Sequence, residues 1–185
     1  MGRFWINLFL TLIVSSLFTP SQAQTASSKF KNEFLTRINK IRKQGCKCGT
    51  TNMPPVAPLV WNDELAAAAA GHARDMARNT YFSHNSRDGR SIESRITNAG
   101  YTYDGYKSFA IGENIAQGQT SIAEVNEGWF KSPRHCMNLM NRDFTEIGVA
   151  ENNTYWVQDF GGREAFTNRE KELIKSGRIK IRRVK

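Results

Sequence analysis

Residues 109–140 read FAIGENIAQGQTSIAEVNEGWFKSPRHCMNLM, and their pattern decides the fold class. Phe109, Ile111, Glu113 and Ile115 alternate with small or polar residues, the period of two that marks a strand with one buried face. After Gly118, the run Ser121-Ile122-Ala123-Glu124 has the form of a capping box. It opens a helix whose inner face is Ile122, Val125 and Trp129. Pro133 stops that helix. Ser132-Pro133 then reads as an N-cap followed by the proline favoured at the first helical position, so a second, shorter helix begins at once.

Upstream, Phe30, Phe34, Ile38 and Ile41 recur at helical spacing behind Ser27 and Ser28, and Gly45 stops them. Residues 46–58 carry glycine, threonine and three prolines, which predicts a loop. A helix capped by Asn62 follows, with Leu65, Ala69, His72 and Met76 as its inward stripe. Ile92, Ile96 and Ala99 predict a short helix ended by Gly100. Downstream, Ile147 and Val149, then Tyr155 and Val157, predict two strands joined at Asn152-Asn153. Helices before, between and after a few strands make an α+β protein, most simply a three-layer α-β-α sandwich.

The ends of the chain differ from its body. Arg3, an apolar run from Phe4 to Phe18 and the small-residue stretch Ser21-Gln22-Ala23 predict a Sec-type signal peptide over 1–23, with Gln24 as the mature N-terminus. The rival is an uncleaved anchor, which would want roughly 20 apolar residues. No cysteine near the cut offers a lipid anchor, and no later segment is apolar enough to span a bilayer. A secreted or periplasmic location is expected, with one domain over 24–162. Residues 163–185 hold nine Lys or Arg against three Glu, so six of the nine net positive charges belong to this C-terminal tail. It is read either as a solvated tail or as a basic strand or segment that meets an anionic surface. Nucleic acid is not expected as a partner, because no aromatic-rich basic patch supports base stacking.

Cys46, Cys48 and Cys136 are the three cysteines. In an exported protein a disulfide is expected, and one of the first two should bridge to Cys136. Cys48–Cys136 is the favoured pair, with Cys46 left over. A zinc site is the rival, although the C-x-C spacing does not match the usual ligand pattern.

Four segments, in order, resemble the CAP superfamily of cysteine-rich secretory, antigen and pathogenesis-related proteins, in its bacterial form. They are LAAAAAGHARDMARNTYFSH at 65–84, GENIAQG at 112–118, VNEGWFKSPRHCMNLM at 125–140 and IGVAENNTYWVQDFG at 147–161. The resemblance implies an α-β-α sandwich with a small, mainly antiparallel sheet and a cleft lined by two histidines and acidic residues. It matches His84 and His135 to the histidines and Glu113 to the first acid. Where the eukaryotic pattern has a second acid, this chain has Ser132. Glu127 points away from the inner helix face and does not replace it.

The residues carry their own argument beside the resemblance. Glu113 shares the strand face of Ile111 and Ile115, and a buried carboxylate needs a cation or several donors. His135 lies in the first turn of its helix, where the dipole disfavours imidazolium and keeps a ring nitrogen free. Asn138, three residues on, shares its face. His84, read without the resemblance, is a polar-loop histidine. His72 reads as a packed core histidine, Ser132 as a cap rather than a nucleophile, and Cys136 as half of a disulfide. The expected cleft residues are therefore His84, Glu113, Asn114, Ser132, His135 and Asn138. The expected metal set is His84, His135 and Glu113, for zinc or another divalent ion.

Two functions stay open. The first is a non-enzymatic extracellular module that binds a divalent metal and a small or extended ligand, a lipid or an envelope component. The second is a metal-dependent hydrolase of peptide or cell-envelope substrates, with Glu113, His84 and His135 as its catalytic set. The absence of a recognisable nucleophile–base–orienter set favours the first.

Overall fold

A computed structural model describes residues 27–181. The signal peptide expected over 1–23 and the last residues of the tail lie outside the described residues. Helix α1 (Ser28–Gln44) starts where Ser27 Oγ accepts the Phe30 N–H and ends at Gly45, whose φ of 74° suits glycine. Phe34 and Ile38 are its buried contacts, but one turn on the inward position is Arg42. Its guanidinium donates to the carbonyls of Ala57, Leu139, Asn141 and Phe144. Burial pulls its pKa down to about 10, which leaves it charged at neutral pH.

The segment 46–58, expected as loop, begins with a small hairpin of β1 (Cys46–Cys48) and β2 (Thr51–Met53). Its three-residue strands are too short to show alternation. Next come β3 (Val60–Trp61), α2 (Asp63–Asn79), α3 (Ile92–Asn98) and β4 (Tyr106–Gln117). Asn62 caps α2 as expected, its Oδ1 accepting the Leu65 N–H at 2.9 Å. Helices α4 (Ile122–Lys131) and α5 (Pro133–Leu139) lead to the hairpin of β5 (Glu146–Asn152) and β6 (Tyr155–Ala165). Ser121 caps α4 through the Glu124 N–H, but the Glu124 carboxylate turns to the N–H of Thr120. The expected capping box is therefore only half made.

The main sheet runs β3-β5-β6-β4, antiparallel except for the two-residue parallel pairing of β3 with β5. One face packs Ile147, Val149, Trp156 and Phe160 against Phe34 and Ile38 of α1, Val125 and Trp129 of α4, and Leu139 of α5. The other face packs Ile115, Tyr155 and Val157 against Ala69, Ala73 and Met76 of α2. Gly148 lets α2 lie directly on β5, because a Cβ there would strike the backbone of Leu65 and Ala66. The expected three-layer α-β-α sandwich is what forms.

The segment expected as a basic tail is partly ordered. Strand β6 runs to Ala165, and α6 (Asn168–Lys175) follows behind a reciprocal capping box of Thr167 and Glu170. Lys107 pairs with Glu164 and Glu170. The charge pattern concealed this helix because its basic residues alternate with acids. Residues 179–181 form no strand.

Candidate ligand-binding cleft

Strand β4 is an edge of the sheet, and a cleft of about 780 Å³ lies over its end. The loop after α2 forms one wall and α4 with the start of α5 the other. Phe82, Ile115 and Trp129 supply apolar lining; His84, Ser132 and His135 supply polar groups. Volumes of roughly 300–1,000 Å³ are usual for small-ligand sites.

His84 is fixed from three sides. Its Nδ1 lies 2.7 Å from Glu113 Oε1. The carbonyl before it, on Ser83, is 2.8 Å from His72 Nε2, and its own carbonyl accepts from Arg95 Nη1 at 2.9 Å. His72 is thus fully buried on α2, as its stripe position predicts, and it also anchors the loop that carries His84. Burial lowers its pKa. With Nδ1 engaged by a carboxylate, the His84 ring is held in one orientation, and its Nε2 remains for the cleft.

Glu113 is buried and has both oxygens occupied, Oε1 by His84 and Oε2 by Arg95 Nη2 at 2.6 Å. Arg95 is the cation that a buried carboxylate required. It reaches Glu113 from α3, where sequence shows it only as one exposed-looking charge in a short polar helix. Directly across the ladder from Glu113, on β6, sits Asp159. Asp159 is fully buried against Glu113, and among the described residues its carboxyl has no further hydrogen-bond partner. Burial first, and the nearby Glu113 charge second, raise its pKa well above the usual carboxylate range. Strand alternation with Tyr155 and Val157 was the signal that would have placed Asp159 on this inner face.

On the opposite wall, His135 stands in the first turn of α5, as expected. Burial, and then proximity to His84, lower its pKa, so its ring is kept neutral at neutral pH. Ser132 occupies the cap position but its hydroxyl caps nothing; it lines the cleft instead. Asn114 and Asn138, expected in the cleft, lie behind it as braces. Asn138 donates to the Glu113 carbonyl and to Asn114 Oδ1, while Asn114 donates to the His135 carbonyl and to Gln158. They tie α5, and with it His135, to β4.

Among the described residues, the set of three His, Cys, Asp or Glu side chains whose ligand atoms approach within 4.8 Å of one another is Cys46, Cys48 and Cys136. His84 and His135 line the cleft and Glu113 is buried behind His84, and the three do not reach that spacing. Cys48 and Cys136 form the favoured disulfide, and Cys46 is free.

The profile of the cysteine-rich secretory protein family matches residues 35–160. The chain belongs to this CAP family. It is 36% identical over 106 residues to "Uncharacterized membrane protein YlbC" of Bacillus subtilis, covering 57% of this chain and 29% of that one. It is 32% identical over 153 residues to "Uncharacterized protein YkwD" of the same organism, covering 78% of this chain and 52% of that one. The chain therefore spans about half, or less, of the length of these relatives. Two solved CAP-like structures share the fold. One is an extracellular protein containing an SCP domain from Bacillus anthracis, with 25% identity and a TM-score of 0.56, covering 79% of this chain and 44% of that one. The other is an outer surface protein of Borrelia burgdorferi, with 22% identity and a TM-score of 0.58, covering 76% and 98%. Among the described residues, no helix of this CAP domain is long and apolar enough to cross a membrane.

Proposed function

We propose that this CAP domain is an exported binding module that holds a divalent metal ion between His84 and His135 and seats an apolar ligand with a polar head beside it. The observation that carries this reading is the immobilised His84. A buried carboxylate on Nδ1, with the carbonyls on either side pinned by His72 and Arg95, orients one ring nitrogen toward a cleft that also holds His135. A carboxylate behind a histidine is the usual support of a metal-ligating imidazole. In this reading Glu113 orients a ligand rather than serving as one, since both its oxygens are taken.

His135 fits the same role. A neutral imidazole keeps the lone pair that a metal needs. The bound ion would supply a Lewis-acid anchor for a carboxylate, phosphate or hydroxyl head. Phe82, Ile115 and Trp129 exclude water around the apolar part. Hydrolysis is less well supported. Glu113 has no free oxygen to act as a base, and among the described residues no cleft hydroxyl is hydrogen-bonded to an imidazole. Export is supported by the leader-like first residues and by the Bacillus anthracis neighbour, which is an extracellular protein.

Calorimetric titration of the purified protein with zinc chloride, beside His84→Ala and His135→Ala, tests the metal site. One equivalent bound by the wild type and lost in both variants is the expected outcome. Zinc taken up equally by all three, or by none, removes the metal from the reading. Sodium laurate, an apolar chain with a carboxylate head, tests the cleft: enthalpy of binding should appear with the zinc-loaded wild type.

A further inference from the structure

The sulfur cluster on the far side of α5 is unused by the cleft. Cys46 and Cys48 stand two apart on β1, so both side chains leave the same face of the hairpin. Both meet Cys136 of α5. The free Cys46 Sγ lies 3.7 Å from Cys136 Sγ and 3.9 Å from Cys48 Sγ, in contact with both atoms of the disulfide. The nook is otherwise apolar: Cys48, Cys136 and Met140 are its buried core, with Ile41, Met53, Val56 and Phe130 packed around them. Cys46 is half-buried at its rim, whereas Cys48 is 1% exposed.

We infer that Cys46 and the Cys48–Cys136 bond form a thiol–disulfide exchange site, in which the covalent tie to α5 passes between two residues of β1. Once the Cys46 side chain turns from beside the bond into line with it, its thiolate attacks Cys136 Sγ, the new Cys46–Cys136 bond forms as the Cys48–Cys136 bond breaks, and Cys48 leaves as the thiolate. One thiol and one disulfide stand on each side, the proton lost by Cys46 is regained by Cys48, and no oxidant or reductant is consumed. Attack on Cys48 is the poorer route. It would join residues two apart on one strand, whose Cα atoms are about 6.6 Å apart and so near the far end of the range that disulfides span. The Cys48–Cys136 pair has its Cα atoms 5.5 Å apart. The exchange also has a consequence for the cleft. His135 adjoins Cys136, so the switch ties the helix carrying a cleft histidine to a different point of the hairpin.

Trypsin reads the switch directly, because Lys47 separates the two candidates: Cys46 falls in the peptide 44–47 and Cys48 in 48–74. The full protein, purified without reductant, is held at pH 8 for a day, quenched in acid, treated with N-ethylmaleimide in denaturant and digested. We expect the label mostly on 44–47, with a minor share on 48–74 matched by a 44–47 peptide bonded to 135–142. Cys48→Ser, incubated with oxidised glutathione as the two-electron oxidant, should form the Cys46–Cys136 bond and leave no thiol to label. Label confined to Cys46 in the wild type after the incubation overturns the exchange, whether or not the variant folds. Three labelled thiols with a stoichiometric metal overturn it in favour of a thiolate metal site.

Discussion

At the scale of single residues, the cleft is held by charges that have nowhere else to go. The Arg95 side chain is 3% exposed and that of Glu113 is fully buried, so neither tolerates the loss of the other. Removing one partner of a buried pair leaves an uncompensated charge in a medium that solvates it poorly. Glu113→Gln should therefore lower stability by about 3 kcal/mol in urea unfolding and release the orientation of His84, abolishing zinc uptake. Asp159 is the opposite case. Burial and the Glu113 charge raise its pKa, so it resists ionisation in the fold at a cost of about 1.4 kcal/mol for each unit by which pH exceeds its unfolded pKa, up to its folded one. Asn matches its shape without that cost. Asp159→Asn should raise the melting midpoint at pH 7 by a few degrees and leave the cleft intact, which a thermal scan and a zinc titration together would show.

At the scale of elements, two short helices define one wall of the cleft, and each is fixed differently. In α4, Gly128 lines the cleft and a Cβ there would meet open space. Gly128→Leu should fill the cleft while stabilising α4 by just under 1 kcal/mol through helix propensity. Laurate binding should disappear and zinc binding persist; laurate bound as by the wild type would mean that the apolar ligand lies elsewhere. In α5, position is set by the Asn114–Asn138 bonds on one side and by the disulfide on the other. Seven residues with no side-chain cap do not hold a helix by themselves. Asn138→Ala should loosen His135 and weaken zinc binding with only a modest change in midpoint, measured on the same sample.

At the scale of the whole molecule, the disulfide and pH set stability. The Cys48–Cys136 bond closes a separation of 88 residues, and Cys136→Ser should cost roughly 2–5 kcal/mol, read as a lower urea midpoint. The pH response has two opposed limbs. His72 and His135 have lowered pKa values in the fold, so their contribution is present above the ordinary 6.5 and lost as pH falls through their folded values. Asp159 has a raised pKa, so its contribution is full below the ordinary 3.8 and fades as pH rises toward its folded value. A scan of midpoint against pH should show His135→Ala flattening the acid limb below 6.5 and Asp159→Asn flattening the decline that begins above 3.8.

The amino-acid sequence by itself determined the longer elements from α1 to the β5–β6 hairpin and the identity of the cleft's front residues. Period-two alternation made β4 legible, Asn62 and Ser132-Pro133 marked helix starts, and the family resemblance singled out His84, Glu113 and His135. These are local signals, carried by residues within a few positions of one another. What the sequence left dark is whatever depends on contacts between distant segments. Arg95 and Asp159 meet Glu113 from another helix and another strand, and Arg42 gathers carbonyls up to 102 residues away. The hidden helix α6 shows the same limit in reverse, since its local charges mimic a solvated tail. Only the tertiary structure decides these, because the energy of a buried polar group is set by which partners the fold brings within hydrogen-bond reach.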